Sequence, residues 1–313
     1  MMSTKKINAL EENIGRVVKG KREVVRLAVM TLLARGHLLI EDVPGVGKTT
    51  LAHSLARSLS LSFCRIQFTS DLLPSDILGV TIFNEKTQVF EFKAGPIFAN
   101  IILADEINRT TPKTQSSLLE AMNEAQISID TETHRLPQPF MVIATQNPAE
   151  HHGTYPLPES QLDRFMLRIG IGYPDADDEK QILLRRSGAH PAEALEPVLT
   201  GDEVLALQAD VDTVTVDDTL VDYLLAIVQA TRQSDLFALG VSPRGALALQ
   251  RAAQAYAFME GRRYCLPDDI KRLAPLVFSH RVVITKLPDT HGPRRLAAER
   301  MIRDLVDAVP VPI

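Results

Sequence analysis

The residues with the clearest chemistry form the segment Asp42-Val-Pro-Gly-Val-Gly-Lys-Thr49. Gly45 and Gly47 permit a turn whose backbone N–H groups point inward, which is the geometry that cradles the phosphates of a nucleotide. Lys48 can reach the β- and γ-phosphates, and the Thr49 hydroxyl can ligate Mg²⁺. Helical spacing begins at Lys48, so the positive end of a helix dipole faces the same phosphates. The segment therefore predicts a P-loop that binds a nucleoside triphosphate.

One position departs from the strict G-x-x-x-x-G-K-[ST] pattern, because Asp42 stands where the first glycine is expected. That position begins the turn and need not contact phosphate. An ordinary glycine turn is the alternative, and the Gly-Lys-Thr-Thr run at a strand-to-helix junction disfavours it. The predicted nucleotide-binding residues of the loop are Pro44, Gly45, Val46, Gly47, Lys48, Thr49 and Thr50.

Two apolar runs further along the chain end in side chains that suit nucleotide hydrolysis. The first ends in Asp105, which would hold Mg²⁺ together with Thr49, and Glu106, which would orient or deprotonate the attacking water. The second ends in Asn147, which could lie beside the γ-phosphate and the attacking water. Its chemistry alone leaves open a plain Asn-Pro turn at the end of a strand.

Hydrophobic spacing predicts the elements that position these side chains. Strands are expected at 37–40, 64–69, 101–105, 141–145 and 165–171, with helices over 5–34 and 48–60. Strands separated by helices indicate an α/β fold with a largely parallel, three-layer sheet. Beyond Pro174 the strand runs stop, and helices are predicted over 177–186, 202–209, 218–232, 243–259 and 267–277. We therefore predict an α/β ATPase domain over 1–185 and a smaller all-helical domain over 186–313.

The composition limits the classes of function. The chain has 313 residues and a net charge of −5, which argues against a protein that coats nucleic acid or an anionic membrane. Cys64 and Cys265 belong to no Cys-x-x-Cys pair, so neither a zinc site nor a redox motif is indicated. The adjacent His151 and His152 have side chains that diverge in a regular backbone, so no metal is expected there. Because no apolar stretch is long enough to span a bilayer, we expect a cytoplasmic protein.

In combination, the motifs resemble those of the MoxR-type AAA+ ATPases over about residues 10–310. The segments that carry the resemblance are Glu41-Asp-Val-Pro-Gly-Val-Gly-Lys-Thr49, Gly95-Pro-Ile-Phe98, Leu103-Ala-Asp-Glu-Ile-Asn-Arg109, Ala144-Thr-Gln-Asn-Pro148, Pro156-Leu-Pro-Glu-Ser-Gln-Leu-Asp-Arg-Phe165 and Val241-Ser-Pro-Arg-Gly245.

The resemblance implies roles that spacing cannot supply. Asn147 matches the sensor-1 position, and Arg164 matches the arginine finger that reaches the ATP of a neighbouring subunit. Arg244 matches sensor 2, a nucleotide-binding residue at the start of a helix in the lid, the helical domain. For either arginine taken alone, a surface ion pair would be the default interpretation.

The resemblance also implies a helix-2 insertion over about 71–98. Residues 80–92 independently predict a β-hairpin with a polar tip, and residues 126–135 predict a second hairpin. In related motors such insertions face the pore of the ring or a partner. Plain structural hairpins are the alternative.

The family implies an ATP- and Mg²⁺-dependent hydrolase that forms a homo-oligomeric ring, expected to be a hexamer. It would act as a chaperone-like factor that remodels or matures a protein partner, for example one with a von Willebrand factor A domain. A nucleic-acid motor and a nucleotide-gated scaffold with little turnover are the alternatives. A GTPase is disfavoured because the chain lacks an Asn-Lys-x-Asp motif.

Overall fold

A parallel sheet lies at the centre of the protein. The computed structural model describes residues 2–129, 132–147, 153–184, 191–285 and 294–311. In chain order the strands are β1 (Leu38–Glu41), β2 (Phe63–Gln67), β3 (Gly79–Asn84), β4 (Val89–Ala94), β5 (Ile101–Asp105), β6 (Gln126–Ile129), β7 (Glu132–Arg135), β8 (Met141–Gln146), β9 (Leu167–Ile169), β10 (Phe237–Leu239) and β11 (Val283–Ile284). Five of them form the central sheet in the order β2-β5-β8-β1-β9, and all neighbours in it are parallel.

Helices cover both faces of this sheet and form the second part of the chain. They are α1 (Met2–Gly15), α2 (Arg22–Leu33), α3 (Lys48–Ser58), α4 (Pro74–Leu78), α5 (Pro112–Glu124), α6 (Glu159–Leu162), α7 (Ala176–Leu184), α8 (Gly201–Asp212), α9 (Asp218–Gln233), α10 (Pro243–Met259), α11 (Pro267–Phe278) and α12 (Arg294–Ala308). No helix in the described ranges combines the length and the apolar character needed to cross a bilayer.

The predicted helix over 5–34 is wrong in one respect, because the structure divides it into α1 and α2. The chain turns between them, and Gly20 has a φ of +67°. Such a φ is outside the helical region and is accessible mainly to glycine. The apolar spacing continues on both sides of this turn, which is why the pattern suggested a single helix.

Alternate residues of the central strands face two different hydrophobic clusters, as the two-residue period of a strand requires. Leu38 and Ile40 of β1 point into the first cluster, which also contains residues of α1, α2 and α3. Leu39 points to the opposite side, into a second cluster with Ile102 and Val142. Strands β1, β5 and β8 are therefore apolar on both faces, as expected for the middle of a parallel sheet covered by helices.

The first cluster does not end at the sheet. It continues into the helical region through fully or almost fully buried residues of five helices, namely Leu207, Ile227, Leu249, Leu273 and Ile302. The sheet and the helical region therefore share one continuous apolar core.

The helical region contains two features that the sequence did not predict. Strands β10 and β11 form a small antiparallel sheet, so the region is not entirely helical. With three and two residues, these strands are too short for a periodic pattern. Helix α12 was also missed. The predicted division at 185/186 falls in 185–190, outside the described residues, and it stays a prediction.

The structure contains both predicted hairpins. Strands β3 and β4 pair antiparallel from Gly79 opposite Ala94 to Asn84 opposite Val89, and β6 pairs with β7. Phe83 and Phe90 lie on the first hairpin with their ring centroids 5.2 Å apart. They are 47% and 73% exposed, so this hairpin presents an aromatic surface to solvent.

Candidate nucleotide-binding and catalytic site

The carboxyl ends of β1, β5 and β8 meet at one edge of the sheet and open onto a cavity of about 360 Å³. Most of the predicted site residues reach it, because parallel neighbouring strands deliver their C-terminal loops to the same place. The lining residues are Pro44, Gly45, Gly47, Lys48, Thr49, Thr50, Arg65, Gln67, Asp105, Glu106 and Asn147. Val46 instead packs into the first hydrophobic cluster.

The loop after β1 has the backbone that phosphate binding requires. Gly45 and Gly47 have φ values of +84° and +95°, a region that side chains other than hydrogen strongly disfavour. Apart from the glycine itself and the residues next to it, no described residue has a heavy atom within 4 Å of the position a Cβ would take at Gly45 or Gly47, so the loop borders open space. Helix α3 begins at Lys48, and the Lys48 Nζ donates a hydrogen bond of 2.5 Å to the Asp42 carbonyl across the loop.

Asp42, which stands in place of the first glycine of the P-loop pattern, makes hydrogen bonds that hold the loop. Its carboxylate accepts hydrogen bonds from the backbone N–H groups of Ile171 and Gly172 at 2.7 and 2.6 Å, just after β9. It also accepts one from Val43 at 2.8 Å. The bonds from Ile171 and Gly172 fix the start of the loop against the end of the neighbouring strand, and the bond from Val43 lies within the loop. A carboxylate at this position therefore anchors the loop and leaves the phosphate-facing backbone intact.

Thr145 holds both acidic residues of the site. Its hydroxyl donates to Asp105 Oδ1 at 2.6 Å and accepts from the Glu106 backbone N–H at 2.8 Å. Thr145 is fully buried. Glu106 has a left-handed backbone, with φ +58° and ψ 48°, which ends β5 abruptly and turns the chain away from the sheet.

Two side chains of β2 pair with the same acids. The Arg65 guanidinium donates to Asp105 Oδ2 at 2.6 Å, and Gln67 Nε2 donates to Glu106 Oε2 at 2.8 Å. Arg109 donates to the same Glu106 oxygen at 3.0 Å. The carboxylate of Glu106 is therefore held by two donors at the edge of the cavity.

Three residues of the site were not predicted from the sequence, although a weak signal existed for each: Arg65, Gln67 and Thr145. Arg65 and Gln67 are two residues apart on one strand, so they share a face, but only the strand order shows that β2 lies beside β5. Thr145 lies near the end of β8, just before the predicted site residue Asn147. Asn147 itself is 7% exposed.

The donor set suits Mg²⁺ bound together with a nucleotide. Mg²⁺ is usually held by one or two protein oxygens, with phosphate oxygens and water completing the octahedron. Thr49 and Asp105, both lining the cavity, offer a hydroxyl and a carboxylate of that kind. Within the described ranges there is no group of three or more His, Cys, Asp or Glu side chains that could hold a metal ion without a nucleotide.

The two predicted arginines are not part of this cavity's lining. Arg164 follows α6, and its Nη1 donates to the Leu119 carbonyl at 2.5 Å. Burial, and then the positive charge of Arg244, lowers the pKa of Arg164. The two arginines therefore lie close enough to repel each other, and both lie outside the cavity of their own chain. The His151–His152 pair falls outside the described residues.

The parallel sheet, the glycine loop and the acidic strand end define a P-loop ATPase domain with an appended helical lid. Residues 37–167 match the family described as "ATPase family associated with various cellular activities (AAA)", and residues 229–304 match an AAA lid domain.

Relatives and a solved structure narrow the assignment. The chain is 51% identical to the uncharacterized protein YeaC of Bacillus subtilis, over 96% of this chain and 93% of that protein. It is 42% identical to Chaperone MoxR1 of Mycobacterium tuberculosis, over 87% and 74%. The crystal structure of a predicted ATPase from Cytophaga hutchinsonii superimposes with a TM-score of 0.90 at 37% identity, covering 100% of this chain and 96% of that one. The protein belongs to the MoxR-type AAA+ ATPases, which confirms the resemblance and the predicted fold class.

Proposed function

We propose that the protein hydrolyses ATP, with Mg²⁺ as cofactor, in a homo-oligomeric ring that remodels a protein partner. One observation carries the hydrolytic part of this proposal. Lys48, Asp105, Glu106 and Asn147 come from three separate strand ends and line one cavity beside a glycine loop with positive φ. A hexamer is the ring that the family resemblance implies.

Each side chain then has a defined task. The loop N–H groups and Lys48 bind the β- and γ-phosphates, while Asn147 contacts the γ-phosphate from the end of β8. Glu106 orients the attacking water and accepts its proton, and Gln67 keeps the carboxylate pointed at the cavity. Bound Mg²⁺, held by Thr49 and Asp105, would neutralise charge on the phosphate oxygens.

Arg164 and Arg244 would serve the nucleotide of the neighbouring subunit. Neither lines the cavity of its own chain, and each is near enough to the other to form one cationic pair. An arginine delivered by a neighbour can offset the charge that develops on the transferring phosphoryl group. This arrangement would make the active site incomplete in a monomer.

The proposal that the protein acts on a protein partner is supported by an exposed aromatic surface and by the name of a relative. The β3–β4 hairpin exposes Phe83 and Phe90, which suit contact with an apolar segment of another protein. A relative bears the name Chaperone MoxR1. The net charge of −5 gives no support to the nucleic-acid motor. A partner carrying a von Willebrand factor A domain is the candidate that the family resemblance suggests.

Replacement of Glu106 tests the hydrolytic assignment. Glu106→Gln keeps the shape of the side chain but cannot accept a proton from water, so we expect near-normal ATP binding and turnover lowered by about 10²–10⁴-fold. Glu12→Gln, which changes an exposed carboxylate on α1, is the matched control and should hydrolyse like the wild type.

The same assay separates the alternatives. Turnover of Glu106→Gln equal to that of Glu12→Gln would show that Glu106 is not the base. Negligible turnover of the wild-type protein itself would favour the scaffold. A large stimulation of wild-type turnover by DNA would favour the nucleic-acid motor.

A further inference from the structure

A buried ionic bridge connects the two arginine motifs of the chain. Arg281 follows α11, and its side chain is only 1% exposed. Its Nε donates to Asp163 Oδ1 at 2.8 Å, and its Nη2 donates to the carbonyls of Asp163 and Phe165 at 3.2 and 2.6 Å. A buried guanidinium requires such partners, because removing one of them leaves an uncompensated charge.

The second carboxylate oxygen of Asp163 reaches the helical region. It accepts a hydrogen bond of 2.9 Å from the Ser242 hydroxyl. Ser242 is the N-cap of α10, and its hydroxyl in turn accepts from the Gly245 backbone N–H at 3.1 Å. Asp163 directly precedes Arg164, and Ser242 lies two positions before Arg244. One carboxylate therefore fixes the backbone beside both arginines.

The packing around the bridge is close. A Cβ at Gly245 would lie 2.8 Å from Arg281 Cδ and 2.6 Å from Val241 Cγ1, so the first turn of α10 rests directly on the Arg281 side chain. Burial lowers the pKa of Arg281 to about 10, which leaves the guanidinium charged at neutral pH. The bridge is thus ionic under ordinary conditions.

We propose that Asp163, shared between Arg281 and Ser242, is a positioning residue that presents Arg164 and Arg244 together to the nucleotide of the next subunit. This inference rests on the proposed function, in which both arginines act across a subunit boundary. Arg164 and Arg244 repel each other and belong to separate parts of the chain. Without a fixed connection between their backbones, the pair would separate and the neighbouring site would lose its cationic side.

Replacing Ser242 by Asp breaks the bridge and leaves the ion pair between Arg281 and Asp163 in place. Ser242→Asp keeps a good N-cap for α10 but sets a second carboxylate against Asp163, so the hydrogen bond is replaced by repulsion. Ser242→Thr keeps both the cap and the hydroxyl and is the conservative control. Thr200→Ala removes the N-cap of a different helix, α8, and reports the effect of cap loss alone.

The test uses mixtures of two inactive variants that complement each other. Lys48→Ala subunits cannot bind ATP but can donate their arginines, and Arg164→Ala subunits bind ATP but need a donor. Ser242→Asp is introduced into either the donor or the acceptor, and ATPase activity is measured at fixed total protein. In the donor it should lower the recovered activity by about tenfold, which corresponds to the loss of one hydrogen bond to a charged group. In the acceptor, Ser242→Asp should leave the recovered activity unchanged, because the Arg164→Ala substitution has already inactivated the arginines of that subunit.

Three controls make the result decisive. Donors with Ser242→Thr or Thr200→Ala should complement fully, and Ser242→Asp alone should keep wild-type ATP affinity in calorimetry. Equal loss in donor and acceptor arms would indicate general damage and overturn the positioning role, as would full complementation by the Ser242→Asp donor. Failure of the unmodified Lys48→Ala and Arg164→Ala pair to complement, in mixed rings demonstrated by native mass spectrometry, would instead overturn the shared active site.

Discussion

The hydroxyl of Thr145 offers a quantitative test of how Asp105 and Glu106, the two acids of the proposed active site, are held. It donates to Asp105 at 2.6 Å and accepts from the Glu106 N–H at 2.8 Å, in a fully buried position. Thr145→Val keeps the branched shape and removes both hydrogen bonds. In this variant Asp105 Oδ1 loses the hydrogen bond that the Thr145 hydroxyl donates, and the Glu106 N–H loses the oxygen that accepts its hydrogen bond.

The expected cost follows from the character of the two bonds. A hydrogen bond to a charged group contributes about 1.5–3 kcal/mol and a neutral one about 1 kcal/mol. We expect this cost to be divided, with the free energy of unfolding lowered by about 1–3 kcal/mol and kcat lowered by at least about tenfold. ATP affinity should change little, because the glycine loop and Lys48 are untouched.

Urea unfolding, phosphate release and calorimetric titration measure the three quantities on the same preparations. Thr145→Ser keeps the hydroxyl and is the matched control, with kcat close to that of the wild type. If Thr145→Val unfolds more easily but retains the kcat of Thr145→Ser, the hydroxyl supports only the fold. The positions of Asp105 and Glu106 would then be set by other contacts.

Three further outcomes are expected. Lys48→Ala should abolish tight ATP binding, since the lysine is the main side-chain charge on the β- and γ-phosphates; near-normal affinity in a calorimetric titration would refute the nucleotide site. Arg164→Ala should bind ATP almost normally and hydrolyse it poorly. Arginine fingers in GTPases raise the hydrolysis rate by roughly 10³–10⁵-fold, and we expect a loss in the same direction here. Unimpaired turnover in a phosphate-release assay would show that this arginine is structural. Burial lowers the pKa of His37 from 6.5 to about 4. As the pH falls, His37 is therefore protonated in the unfolded chain before it is protonated in the folded one. Its contribution to the free energy of unfolding is complete above pH 6.5 and is lost as the pH falls towards 4. The loss is about 3 kcal/mol from this residue, and urea unfolding of His37→Asn should show a shallower pH dependence than the wild type, with identical slopes counting against this account.

The phosphate loop and the acidic strand end could be predicted because their residues are neighbours in sequence. Gly45, Gly47 and Lys48 lie in one turn, and Asp105 and Glu106 end one strand. Their convergence also followed from the sequence, since the carboxyl ends of parallel strands open onto the same edge. In motifs of this kind, the residues within a few positions of one another determine the local backbone conformation.

The remaining features depend on contacts between distant parts of the chain. Arg281 and Asp163 are 118 positions apart, and neither belongs to a recognisable pair in the sequence. Arg65 reaches Asp105 only because β2 is placed next to β5. The turn at Gly20 was missed for a different reason, since apolar spacing continues through it and a lone glycine does not by itself end a helix.

The apolar cluster shared by the sheet and the helical region has a mechanical consequence. Rotation of α8 to α12 away from the sheet would divide this cluster and expose side chains that are now buried in it. Each fully buried leucine that became solvated would cost about 1.5–3 kcal/mol, so a large hinge motion inside one subunit is expensive. In the proposed ring, displacement driven by the nucleotide is therefore expected at the contacts between subunits, with each subunit moving as one rigid body.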